Sequence, residues 1–234
     1  MKEILKEEKL REEICEIGRR MYSNGFVAAN DGNITARAGE DTFLTTPTGV
    51  SKGFLTPDMI TKVDGSGNVI DGTCEPSSEI RVHLTVYRER PDAGAVIHAH
   101  PPFSTAYAVA GIPLDKCILP ETVFALGCVP VVKYAIPGSQ ELADGLVSHL
   151  RDHDALLLEN HGTVTVGPDL INAYFMLERV EFYAKITLLT QLIGSQKELP
   201  GHEIEKLIGK RQASGLPGRH PWLQANHLDF RQEV

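Results

Sequence analysis

The spacing of apolar positions divides the chain into helical and extended stretches. Between residues 2 and 24, Ile4, Leu5, Leu10, Ile14, Ile17 and Met21 recur at helical spacing among charged side chains. That pattern predicts an amphipathic core-packing helix stopped by Asn24-Gly25. Ile34 opens a strand after turn-forming Asn30-Asp31-Gly32-Asn33, and residues 43–46 suit a short second strand. Residues 60–70 read as a hairpin looping through 65–68. Ile80, Leu84 and Tyr87 give the buried stripe of a helix that starts after Pro76-Ser77-Ser78-Glu79 and ends before Pro91. Residues 93–99 are a continuous apolar run, the mark of a buried strand, ended by Pro101-Pro102. Residues 103–111, rich in small side chains, predict a buried helix; 112–126 read as irregular and 129–132 as a strand. Ser139 caps a helix through Leu150. Residues 155–167 read as strand, tight turn at His161-Gly162, strand. Asp169 caps a long helix over 170–193, with Leu177, Val180, Ala184, Leu188 and Gln191 along one side. Residues 204–210 suit a short helix and 214–221 a loop before Trp222, the only tryptophan.

Composition narrows the class. The 234 residues, 42% of them hydrophobic, suit one large α/β domain over 1–234 with no linker or internal repeat. A net charge of -8 argues against a nucleic-acid or membrane-surface binder. The cysteines at 15, 74, 117 and 128 form no CxxC spacing and no disulfide framework, which predicts a reducing cytoplasm. The charged N-terminal stretch carries no apolar signal region, and no apolar run reaches the roughly 18 residues of a membrane span.

Candidate chemistry collects at a few polar positions. Side chains two apart on a strand share a face, so His98 and His100 project together and can bind one metal ion. Zinc would need one or two further ligands. His161, at a strand end beside Gly162, faces a cleft and is a candidate third. Ser77-Ser78-Glu79 reads as simple helix capping by Ser77, or as an anion site at a helix N-terminus with Glu79 as a base or metal ligand beside it. His83, four residues after Glu79, is a packed histidine or half of a second metal pair. Asn33 and Thr48-Gly49 sit in turns that could also present donors to an anion; the Walker spacing is absent.

Five blocks together carry a family resemblance: Gly32-Asn33-Ile34-Thr35, Thr46-Pro47-Thr48-Gly49, Pro76-Ser77-Ser78-Glu79, His98-Ala99-His100 and Asn160-His161-Gly162. In order and approximate spacing the chain resembles the class II aldolase/adducin family, in its L-fuculose-1-phosphate aldolase branch, over about residues 5–195. The resemblance implies a three-layer α/β/α fold with a central, mostly antiparallel sheet flanked by helices. It implies a homotetramer with active sites between adjacent subunits. It implies one divalent metal per subunit, usually zinc, on His98, His100 and His161. Glu79 matches the catalytic glutamate, which can also ligate the metal. Asn33, Thr48, Gly49, Ser77 and Ser78 match the phosphate-binding positions, an uncharged pocket of N–H and O–H donors. The implied reaction is retro-aldol cleavage of a ketose 1-phosphate to dihydroxyacetone phosphate and a small aldehyde. Related branches include a 4-epimerase (which usually has Asp at position 79), a methylthioribulose-phosphate dehydratase, a phosphotetronate decarboxylase and the metal-free adducin-like binding module. Two departures stand out. The aldolase branch carries a tyrosine in the segment where this chain reads Cys117-Ile118-Leu119-Pro120-Glu121-Thr122-Val123-Phe124, which has none, and Glu121 there is either an acid/base or metal-approaching group or a helix-start residue. The tail after Gly194 does not match the aldolase tail.

Overall fold

Strand β5 (Ala95–Ala99) is buried at every residue and sits in the middle of the sheet. It pairs antiparallel on one side with β1 (Asn33–Gly39) and on the other with β8 (Gly162–Gly167). β2 (Thr42–Thr45), β3 (Thr61–Asp64) and β4 (Val69–Asp71) continue outward from β1. β7 (Ala155–Leu158) and β6 (Val131–Val132) continue from β8. The computed structural model, which describes residues 2–214, thus holds an eight-stranded sheet in which only β6 and β7 run parallel. The mostly antiparallel sheet agrees with the expected fold.

Period-2 alternation explains the layering. Ala95, Ile97 and Ala99 point into an apolar cluster with Ile14, Ile17 and Met21 of helix α1 (Lys2–Ser23). Val96 points the other way, into a cluster with Val82, Val86 and Tyr87 of α2 (Ile80–Glu89) and Leu142, Leu146 and Leu150 of α5 (Gln140–Leu150). On the α1 side, α3 (Pro102–Ala110) and the long α6 (Leu170–Ile193) pack together through Tyr107, Val180, Tyr183 and Ala184. Short α4 (Pro120–Ala125) packs on α7 (Gly201–Ala213).

Two of the expected caps hold. Ser139 Oγ accepts from Leu142 N at 3.1 Å, and Asp169 Oδ1 from Asn172 N at 2.8 Å. Four expectations need correction. Leu5 is exposed rather than core, because α1 extends beyond the sheet's apolar face. Helix α3 is buried on one face only; its small residues let Tyr107 and Ala108 pack closely while Val109 faces outward. The 112–126 stretch contains α4, begun by Pro120 at its first helical position. The 129–132 strand shrinks to β6, with Val129 making an isolated bridge to Leu114. The 214–221 loop and Trp222 lie essentially outside the described residues, as does the Ile4 side chain.

One helix face is apolar and exposed. Ile171, Phe175, Phe182, Leu189 and Ile193 fall on one side of α6 at helical spacing, and Phe182 is 57% exposed.

Candidate metal centre

Antiparallel pairing brings the end of β5 against the beginnings of its two neighbours. Asn33 stands opposite His98 in the β1–β5 ladder, and Ala99 opposite Thr163 in the β5–β8 ladder. His98 and His100 therefore arrive at the sheet edge where Asn33 opens β1 and His161 precedes β8. The same parity that places Val96 on the α2 side places both histidines there. The turn before β8 needs Asn160 at φ 56°, a left-handed conformation that Asn tolerates better than most residues. Gly162 follows because nothing larger fits: a Cβ there would stand 2.5 Å from both the Ala99 carbonyl oxygen and His100 Cδ2.

The three imidazoles form one cluster, each offering a ring nitrogen within 4.8 Å of the others. Nε2 of His98 and Nε2 of His100 are 3.0 Å apart. Two nitrogens on one zinc, each about 2.0–2.1 Å from it, stand at a similar separation. His98 is 2% exposed, and its Nδ1 lies 3.1 Å from the Thr163 carbonyl oxygen. A carbonyl can only accept, so Nδ1 carries the proton and the Nε2 lone pair turns toward the cluster. Burial, reinforced by the neighbouring histidines, holds the His98 pKa well below its usual value; burial also lowers that of His161, opposed by the Glu79 charge. Neutral imidazoles are the metal-binding form.

Glu79 closes the group. Its Oε2 is 3.2 Å from His98 Nε2 and accepts from Asn33 Nδ2 at 2.8 Å, while its Oε1 is 3.3 Å from His161 Nε2. Glu79 itself holds the cap position of α2. The expected Ser77 cap is corrected: Ser77 Oγ accepts from Glu79 N at 3.3 Å, a turn contact that aims the glutamate. Asp31 Oδ2 stands 3.7 Å from His100 Nδ1, behind the cluster. Glu79 Oε1, Asn33 Oδ1 and His161 Nδ1 are buried atoms without a hydrogen-bond partner. Buried polar atoms are rarely left so, and three in one place mark a site shaped for something more. Three imidazoles and a carboxylate are the donor set of a divalent metal such as zinc.

A cavity of about 180 Å³ opens beside the cluster, lined by Asn33, Thr48, Gly49, Ser77, Ser78 and Glu79, with His100 and His161 at one side. Gly49 has φ 72°, the left-handed geometry the turn requires. Pro137 lines the same cavity, and Gly138 packs so closely that a Cβ would meet the Ser78 carbonyl oxygen at 2.6 Å. The cavity is not uncharged. Lys52, 1% exposed, also lines it, and it has no role in the sequence analysis.

Three residues fall elsewhere. His83 is fully buried, with Nδ1 2.8 Å from Thr35 Oγ1, so it is a core histidine rather than a metal partner of Glu79. Glu121 lies exposed in the first turn of α4 and lines a separate groove with Leu119, Phe175 and Phe182. Cys117 is 2% exposed and packs with Val123, Ile204 and Ile208.

The chain is similar to known proteins over most of its length. The profile described as Class II Aldolase and Adducin N-terminal domain matches residues 12–188. An L-fuculose phosphate aldolase of Methanocaldococcus jannaschii is 38% identical over 183 residues, 78% of this chain and 98% of that protein. A 3-oxo-tetronate 4-phosphate decarboxylase of Escherichia coli O6:H1 is 35% identical over 187 residues, 78% of this chain and 88% of that protein. A solved L-fuculose 1-phosphate aldolase superposes with a TM-score of 0.81 at 30% identity, covering 87% of this chain and 96% of its own.

Proposed function

Because the chain belongs to the class II aldolase and adducin family, we propose that it is a metal-dependent lyase acting on a phosphorylated ketose. Its reaction on this reading is retro-aldol cleavage of a ketose 1-phosphate to dihydroxyacetone phosphate and a small aldehyde. The observation that carries the reading is the Glu79 carboxylate, held by Asn33 within 3.3 Å of two of three clustered imidazoles.

The proposed ligands are His98, His100 and His161, one metal ion per subunit, zinc by preference for this nitrogen-rich set. A divalent cation held there supplies positive charge opposite the ketone oxygen where negative charge develops. The chain's own groups do the rest. Thr48, Gly49, Ser77, Ser78 and Asn33 seat the phosphate and fix the ketone against the histidines. As the carbon–carbon bond breaks, its electron pair passes into the ketone to give an enediolate, and the departing alcohol gives up its hydroxyl proton to the Glu79 carboxylate and becomes an aldehyde. Glu79 then delivers a proton to the enediolate carbon, leaving dihydroxyacetone phosphate. Asn33 orients the carboxylate for that transfer.

The lack of a tyrosine in residues 117–124 favours a second reaction on the same site. The aldolase branch uses a tyrosine in that segment for the aldehyde oxygen. Decarboxylation of a 3-oxo acid phosphate needs no such group: carbon dioxide leaves, the same enediolate forms, and Glu79 protonates the same carbon. Metal-loaded protein incubated with fuculose, rhamnulose, ribulose and 5-deoxyribulose 1-phosphates and with 3-oxo-tetronate 4-phosphate tests both. Triose phosphate with an aldehyde supports the first, and triose phosphate with carbon dioxide the second. No triose phosphate from any of them overturns both.

We further propose a homotetramer, supported by the exposed apolar face of α6, and a reducing cytoplasmic location, supported by four free thiols.

A further inference from the structure

Lys52 is a buried cation with no carboxylate within ion-pair distance among the described residues. Its Nζ donates to the Asn30 carbonyl oxygen at 2.8 Å and to the Val50 carbonyl oxygen at 2.6 Å. These carbonyls belong to the two loops that carry Asn33 and Thr48-Gly49, so the ammonium ties both walls of the cavity together. An ammonium has three protons and no acceptor capacity. Two are committed to carbonyls, and the third is left for the cavity that Lys52 lines. Burying an ammonium without an anion is costly. Asp31 and Glu79 act on Lys52 from a distance, and Lys52 is the only lysine or arginine lining the cavity among the described residues.

We propose that Lys52 is the anion-recognition residue of this pocket, bracing the two cradle loops and presenting one N–H and a full positive charge to the phosphate of the substrate. The inference rests on the phosphorylated-sugar reading above and adds to it a charge selection: the pocket accepts a phosphate dianion and discriminates against the unphosphorylated sugar. Neutral hydroxyls and backbone N–H groups alone would orient a phosphate without that degree of discrimination. Burial draws the Lys52 pKa down to about 8, and the two carboxylates oppose that shift, so the group is charged at neutral pH. A charged amine has no lone pair with which to attack a carbonyl, which separates this role from Schiff-base chemistry.

The test uses metal-loaded full-length protein and its Lys52→Met variant, which keeps much of the side-chain volume. Inorganic phosphate, dihydroxyacetone phosphate and dihydroxyacetone are titrated calorimetrically, and zinc content is measured alongside. The expected result is a loss of tenfold or more in affinity for both phosphates, with zinc content and dihydroxyacetone affinity unchanged. Phosphate binding within twofold of wild type overturns the inference and leaves the proposed reaction standing. Equal weakening of all three ligands reveals a purely structural lysine and also overturns it. Wild-type protein that binds neither phosphate overturns the phosphorylated-sugar reading itself. Should Lys52→Met fail to fold, the ammonium resonance of Lys52 in 15N-lysine-labelled wild type decides: saturating phosphate shifts it if the inference holds, and an unmoved resonance overturns it. A borohydride-trapped adduct of dihydroxyacetone phosphate on Lys52 likewise overturns it.

Discussion

The ring of His98 is oriented by a backbone atom: its Nδ1 donates to the Thr163 carbonyl oxygen at 3.1 Å, across the β5–β8 ladder. Sheet pairing thus selects the tautomer and turns Nε2 toward His100 and Glu79. Mutation tests the proposed ligand and base roles separately. His98→Ala and His161→Ala are expected to fall well below one metal ion per chain by elemental analysis and to lose activity with it. Glu79→Gln keeps one side-chain oxygen that can still accept from Asn33 Nδ2, so it should retain metal while turnover falls by about 10²–10⁴. Turnover near wild type in Glu79→Gln removes Glu79 from the proton transfer.

Gly162→Ala probes how tightly the cluster is packed. The new methyl would press on the Ala99 backbone and on the His100 ring at once. A cost of about 1–3 kcal/mol in stability is expected from overpacking of this kind. Metal affinity should fall as well, because His100 is the part that can yield. Denaturant unfolding with a competitive zinc titration reads both effects, and a variant with wild-type zinc affinity contradicts the close packing.

His83 predicts a pH effect from outside the three-histidine cluster. Burial lowers its pKa from 6.5 to about 3. The unfolded chain therefore binds a proton below about pH 6.5 that the folded chain refuses. The depressed folded value means that this stabilising contribution is present above 6.5 and is lost as pH falls toward 3. Between pH 7 and 5 the loss amounts to about 2 kcal/mol. Urea unfolding of wild type and His83→Gln at the two pH values should show a smaller acid loss in the variant by that amount. Equal losses would mean that His83 titrates alike in both states.

The exposed face of α6 predicts association. Phe175 and Phe182 lie one above the other on that face, beside the groove that Glu121 lines. Each buried phenylalanine contributes roughly 1.5–3 kcal/mol to an interface. Phe182→Asp should therefore shift the sedimentation coefficient from that of an oligomer to that of a monomer. A wild-type protein that sediments as a 25.7 kDa monomer rules out the tetramer.

What the sequence disclosed, and what it withheld, follows from the range of the forces involved. Strand alternation put His98 and His100 on one face, and glycine next to His161 marked a turn; both are local rules. The Ser77-Ser78-Glu79 block was legible as a helix start, yet the cap position fell on Glu79, because the turn at Ser77 and the strand-like bridge from Pro76 to Pro47 shift the entry of α2. His83 could not be assigned locally: its core role depends on Thr35, which pairs with it from a strand 48 residues away. Lys52 was invisible for the same reason. A lysine in a polar turn reads as solvated, and only the convergence of two loops supplies the carbonyls that bury its ammonium. Glu121 remained open between two roles at the sequence level, and within the protomer it stands in a helix start away from the imidazoles.

The opposition of Asn33 to His98 and of Ala99 to Thr163 has a consequence for folding. A slip of one residue in either ladder would turn both histidines onto the opposite face of β5, among the apolar side chains beneath α1. Such a chain could still look folded by its helix content, but it would have no place for a cation. If the proposed site takes up its metal, uptake would favour the chains with correct strand register by mass action, because only they would gain the binding energy.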